Sequence, residues 1–428
     1  MADGTKPVGL RRVLRALGPG LITGAADDDP SGIATYSQAG AQFGYSLAWT
    51  LLLTLPFMAA IQIISALIGW QSRRGLTANI ARRVPKSVML ALVGLLALAN
   101  TINIAADLAA MADALQLVVA GPALAYAAGF GLVCLLAQIF VAYHRYAGYL
   151  KFLTLVLFVY VGAAFSVNLP FGHVVLRTLW PHISLSRDYM LTVVAVFGTS
   201  ISPYLFYWQA SQEAEESRLS FSRDLASYRS GKAEAFRIIV FDTWVGMIVS
   251  NLISWFILVT TAATLHVHGI TNIQTAAQAA EALRPIAGNL TFGLFAAGII
   301  GTGLLAVPIL AGSAAYAVAE GMHIQGSLEL PASKAKGFYA IIAAATLGGI
   351  VLVAVGLDPI KMLFWAAVIN GVVSVPIIIA TMLTATARHR KPPHRAALIL
   401  PRWLVLLGWL AAVLMGLSVL GMLWQSWG

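Results

Sequence analysis

Charge and cysteine are both scarce in this chain. Only 10% of its 428 residues are Asp, Glu, Lys or Arg, against roughly 25% in ordinary soluble domains, so most of it cannot present a water-facing surface. A single cysteine, Cys134 in an apolar run, excludes a disulfide framework within the chain and any multi-cysteine metal site. As a small buried hydrophobe it needs no further role. No nucleophile–base pair and no His-rich metal motif falls within the apolar segments, which argues against an intramembrane enzyme. No stretch between those segments is long enough to fold as a separate domain, so the cytoplasmic output domain that a metal sensor or receptor needs is missing. The basic N-terminal residues are not followed by a short apolar core and a small-residue cleavage site, and the segment reads as a cytoplasmic tail rather than a signal peptide.

What the chain has instead is apolar length. With 59% hydrophobic residues and a mean hydropathy of +0.82, it is expected to be a single all-α, polytopic membrane domain over 1–428. Segments of about 20 apolar residues, enough to span, fall near 15–37, 44–70, 88–118, 122–142, 149–168, 189–213, 236–264, 289–316, 338–356, 361–386 and 402–425. That pattern predicts eleven helices. With the N-terminus inside, only Arg177, Arg187, Arg284 and Lys361 of the 27 Lys and Arg lie on outer segments. This positive-inside asymmetry supports a cytoplasmic N-terminus and an outside C-terminus. The net charge of +10 is spread between apolar segments rather than along one face, so it indicates a lipid bilayer and not nucleic acid as the surrounding partner. No cofactor and no obligatory protein partner is implied.

The most informative stretch is Gly18 to Gly44. It starts as a Gly/Ala-rich membrane segment and then places Asp27, Asp28 and Asp29 directly before Pro30, Ser31 and Gly32. An Asp at a helix centre costs about 2.5–3.5 kcal/mol on translocon scales, so the cluster requires a wet cavity, a cation or protein around it. Pro30 removes a backbone donor and Ser31-Gly32 lets the chain leave helical geometry. A discontinuous helix results, whose unwound carbonyls and carboxylates make a cation site; the plainer alternative is a kinked helix near the interface with its acids reaching water. In the sixth segment Gly198, Thr199, Ser200, Ser202 and Pro203 interrupt a second apolar run, with Pro203 lying 173 residues after Pro30. Interruptions at matching places in two five-span halves of opposite orientation point to a midplane substrate site in a secondary transporter.

Other polar features invite plainer readings. The segment near 213–235 mixes Glu213, Glu215 and Glu216 with Arg218, Arg223, Arg229 and Lys232 and reads as a solvated amphipathic linker. His266 and His268 in an outer loop are read as exposed side chains, with a superficial metal site as the alternative. Asp113 and Asp242 are read as structural acids, and Gly298–Gly303 and Ala343–Gly349 as close helix packing.

The run GPG, DPSG and AGAQFGY, with GTSISPYLFY in the sixth segment and ADLA at Ala106–Ala109, resembles the Nramp (natural resistance-associated macrophage protein) family of divalent metal transporters over nearly the whole chain. The resemblance implies a leucine-transporter-type fold of two inverted five-helix repeats, about 15–168 and 189–386, plus an extra helix at about 402–425. A mobile bundle of helices 1, 2, 6 and 7 would work against a scaffold. It implies a metal site built from Asp29, Asp28, Ala26, Ser31, Gly32, Thr199 and Ser202. Asp107 would match the family's acid of the proton path, and Tyr204, Gln209 and Asn370 are gating or coupling candidates.

This chain also departs from the family's pattern. Ser31 and Gly32 stand where the family's first break has Gly and Asn; Ser202 and Tyr204 replace its Met and His; Gln209 replaces a second His, and Ala110 a Glu. Exchanging a soft thioether for hydroxyl oxygen favours Mg, Ca or Mn over softer metals, which places the expectation nearer the Nramp-related magnesium transporters. Tyr and Gln do not change charge near neutral pH as His does, so weak or no proton coupling is expected. The competing readings are a same-fold transporter of an organic cation or amine, caged by Tyr204, Phe206, Tyr207 and Trp208, and a non-transporting metal sensor.

Overall fold

The computed structural model describes residues 19–141, 154–167, 169–223, 232–387 and 400–427, and these are helical without any strand. In a bilayer only a helix satisfies each backbone group within its own segment, and the long Ala-, Leu- and Gly-rich runs here comply. The first half contains α1 (Pro19–Asp27), α2 (Pro30–Phe43), α3 (Ala48–Ser72), α4 (Lys86–Gln116), α5 (Ala123–Phe140) and α6 (Phe158–Ser166). An amphipathic connector, α7 (Phe171–Leu179), leads to α8 (Arg187–Ser200), α9 (Pro203–Arg223), α10 (Lys232–Thr261), α11 (Thr291–Gly321), α12 (Lys336–Val353), α13 (Pro359–Thr386) and α14 (Arg402–Trp427).

Among the described residues nine continuous helical stretches are long and apolar enough to cross a membrane. The difference from the eleven expected has a physical origin. The first stretch, Pro30–Ser72, runs α2 into α3 through a 3-10 turn at Gly44–Leu47, so two expected segments merge. The fifth expected segment begins before the described residues, and its described part is the shorter apolar helix Leu155–Ser166.

Both expected interruptions are present. α1 ends at Asp27, and Asp29, extended at φ −69° and ψ 169°, N-caps α2 with Pro30 in the first turn. α8 ends at Ser200, and α9 restarts on Pro203. The helices then sort into two groups. α1, α2, α3, α9 and α10 pack on one another, whereas α4 is the axis against which α5, α11, α12 and α13 pack. Close approach in the first group depends on glycine: a Cβ at Gly24 would collide with the backbone of Gly246 on α10, and one at Gly69 with the carbonyl of Ala210 on α9. The α11 glycines also behave as read, since Gly303 lies directly against Met111 of α4.

Candidate cation site at the paired helix breaks

Asp27, Asp28 and Asp29 are each 2% exposed, yet no ion pair of the described residues involves them. Their carboxylates do not act as one cluster. Asp29 Oδ1 accepts from the Gly32 N–H and from the Ser31 hydroxyl, both at 2.8 Å, so this oxygen caps α2. Its other oxygen faces α9, where the Tyr204 hydroxyl lies 3.1 Å from Asp29 Oδ2 and 3.0 Å from the Ala26 carbonyl. One phenol from the second break therefore bridges a carboxylate of the first and a carbonyl in the last turn of α1.

Asp27 and Asp28 turn toward α10. The Ser250 hydroxyl donates to Asp27 Oδ2 at 2.8 Å and lies 3.2 Å from Asp28 Oδ1, while Ser254 donates to Asp28 Oδ1 at 3.1 Å. Asp27 Oδ1 is buried with no hydrogen-bond partner. Asp28, expected beside Asp29 in one ligand set, is thus partnered on a different face of the break.

At the second break the Ser202 hydroxyl contacts the carbonyls of Gly198 and Thr199 at 2.9 and 2.7 Å, so it closes the end of α8. Thr199 Oγ1 is buried and unpartnered, 3.1 Å from where a Gly32 Cβ would lie. Glycine at 32 is what lets the two breaks touch. Ser200 hydrogen-bonds the Tyr36 hydroxyl of α2 at 3.0 Å. Each break also presents the C-terminal, partly negative end of a half-helix, α1 and α8, an arrangement suited to a cation.

The remaining candidates divide. Asp107 on α4 is fully buried and neither carboxylate oxygen has a hydrogen-bond partner; it is close enough to Asp29 and Tyr204 to interact with both electrostatically. Asn103, one turn earlier, approaches Asp29 without a direct hydrogen bond. Asn370 on α13 is buried and unpartnered, next to Gly371, which packs on Gly198 at the second break. Gln209 lies apart: its amide donates to Thr243 of α10 at 2.8 Å. Of the aromatic residues expected to form a cage, Tyr204 reaches the break. Trp208 packs edge-on against Tyr316, and Tyr207 interacts with Thr77 and Glu320, so no aromatic cage forms.

Several plainer readings are settled by packing. Asp242 is structural, accepting from the Gly20 N–H at 2.7 Å. Asp113 accepts from the Ala276 N–H. His266 and His268 bond separately to the carbonyls of Ala41 and Thr264, and no group of three His, Cys, Asp or Glu suited to a metal forms among the described residues. The linker reading of 213–235 needs correction, although 224–231 lies outside the described residues. α9 continues to Arg223, and Glu213 and Glu215 are buried; Glu215 is tolerated there because the Tyr316 hydroxyl donates to it at 2.9 Å. The residues not foreseen are Ser250, Ser254, Asn103 and Tyr36. The two serines sit four apart in an apolar helix, on one face, a spacing visible in the sequence.

Comparison with known proteins bears on this geometry. The family model "natural resistance-associated macrophage protein-like" matches residues 20–425. A divalent metal cation transporter MntH of Xanthomonas campestris is 26% identical, with 97% of this chain and 91% of that protein covered. The MntH of Deinococcus radiodurans is also 26% identical, over 99% of this chain and 92% of its own length. Among solved structures, a manganese transporter of Eremococcus coleocola superposes with a TM-score of 0.71 at 17% identity, covering 98% of this chain and 88% of that one. Mhp1, a nucleobase-cation-symport-1 family transporter in a closed conformation, gives 0.61 at 13% identity, covering 96% and 92%. The fold is accordingly of the leucine-transporter type.

Proposed function

Since the chain belongs to the Nramp family, whose model spans residues 20–425, we propose that it is a multi-pass membrane transporter, not an enzyme, that carries divalent metal cations by alternating access. The ion binds at the breaks of α1/α2 and α8/α9, between halves of about 15–168 and 189–386 acting as inverted repeats. The observation that carries this reading is the position of the Tyr204 hydroxyl, within 3.1 Å of both Asp29 Oδ2 and the Ala26 carbonyl, which marks two acceptor oxygens that an ion can take in its place. Every donor at this point is oxygen, and Ser31, Thr199 and Ser202 around it add only hydroxyls. Oxygen sets suit Mg or Mn, so the cargo is a hard divalent cation. Asp29 supplies the charge, and Gly32 gives the α8 end access to it.

Transport proceeds with weak or no proton coupling. Tyr204 and Gln209 occupy the places of the family's histidines, and Gln209 is engaged with Thr243 away from the ion. The protein resides in a bacterial-type cell membrane with its N-terminus cytoplasmic and its C-terminus outside. An organic cation fits less well, because Tyr207 is engaged with Thr77 and Glu320 and Trp208 packs on Tyr316.

Uptake into proteoliposomes against a panel of Mg, Mn, Ca, Fe and Cd tests the reading. The expected result is uptake of Mg or Mn that is abolished in Asp29→Ala while the variant stays folded by circular dichroism. Undiminished ion uptake by Asp29→Ala would place the site elsewhere.

A further inference from the structure

The Asp27–Asp28 face of the break is chemically distinct from the Asp29 face. Its two carboxylates come from the unwound end of α1, and its two hydroxyls, Ser250 and Ser254, come from one face of α10. Neither carboxylate touches α9 or the Tyr204 hydroxyl through any hydrogen bond among the described residues. All four side chains are buried. Serine hydroxyls reduce the demand of two carboxylates for donors but contribute no charge, and the C-terminal end of α1 adds further negative potential. No Lys, Arg or His among the described residues pairs with either acid. Asp27 Oδ1, on a residue only 2% exposed, has no donor at all. What this face lacks is positive charge and a donor for its bare Asp27 oxygen.

We propose that Asp27, Asp28, Ser250 and Ser254 form a second site for a hard divalent cation, separate from the Asp29 site and on the α10 side of the break. Two carboxylates and two hydroxyls offer up to about six oxygens, the number such an ion takes. The charge of the two acids is matched by one divalent ion without any contribution from Asp29. A transporter with both sites holds two ions in the same bundle, one shared between the two breaks and one between α1 and α10.

The test counts Mn ions bound by the purified full-length protein in detergent, reading free Mn by electron paramagnetic resonance during titration. Wild type is expected to bind two ions per chain. The Asp27→Asn/Asp28→Asn variant, which keeps the side-chain shapes, should bind one, and Asp29→Ala should bind the other one. Ser250→Ala/Ser254→Ala should weaken one ion tenfold or more and leave the other unchanged, which decides the matter if the double Asn variant fails to fold. A single ion lost in Asp29→Ala and unaffected by both the Asn pair and the Ala pair would overturn the second site and leave the proposed function standing. A single ion lost in the Asn pair and kept in Asp29→Ala would support the second site and overturn the placement of the transported ion.

Discussion

Tyr204→Phe removes one oxygen from the protein and little else. Its ring is fully buried, and the backbone at this position is held independently by the Ser313 hydroxyl, which donates to the Tyr204 carbonyl at 2.8 Å. The lost hydroxyl is the group that lies 3.0 Å from the Ala26 carbonyl and 3.1 Å from Asp29 Oδ2. An ion entering between those two acceptors has to displace it. A hydrogen bond to a charged group is worth about 1.5–3 kcal/mol, and each 1.4 kcal/mol is about tenfold in affinity. Phe at this position is therefore expected to tighten binding of Mg or Mn by roughly 10- to 100-fold and, by slowing release, to lower uptake at saturating ion. Calorimetric titration paired with proteoliposome uptake measures both. Binding that weakens in Tyr204→Phe would refute the argument and make the phenol oxygen a ligand of the ion rather than its competitor.

Ser202→Met removes the hydroxyl that closes α8, a loss of about 1 kcal/mol, and supplies a thioether; competition uptake should shift toward Cd or Mn relative to Mg, and an unchanged series means the side chain stays turned to α8. Uptake should respond to membrane potential, worth about 2.3 kcal/mol per charge per 100 mV and about twice that for a divalent ion, without acidifying a trapped pH dye. Acidification that disappears in Asp107→Asn would overturn the uncoupled reading. Gly24→Val should lower the melting temperature and reduce uptake, since overpacking of this kind costs about 1–3 kcal/mol; a wild-type melting curve would show that α1 does not need its contact with Gly246.

The breaks were readable from the sequence because they depend on local chemistry: Pro30 and Pro203 cannot continue a helix, and Asp29 before Pro30 is an N-cap in any context. The partners were not readable, because each comes from a distant helix. Nothing near Asp28 in the chain indicates Ser254, and nothing near Ala26 indicates the Tyr204 hydroxyl. The glutamates after Gln212 misled for a related reason. Their charge suggests solvent, but the donor that keeps Glu215 inside the protein, Tyr316, lies 101 residues further on.

The Gly20–Asp242 hydrogen bond gives α1 the mechanics of a lever. With nine residues at about 1.5 Å each the helix is a rod of roughly 14 Å, pivoted at Asp28–Asp29 and clamped at its far end to α10. Tilting the rod alone by about 10° sweeps that end roughly 2.4 Å, more stretch than a hydrogen bond of ordinary length tolerates. Gly20 and Gly24, seated against Thr243 and Gly246, block sliding along the same contact. Any displacement at the pivot is therefore passed to α10 through these contacts, which tie the two helices together as a single arm.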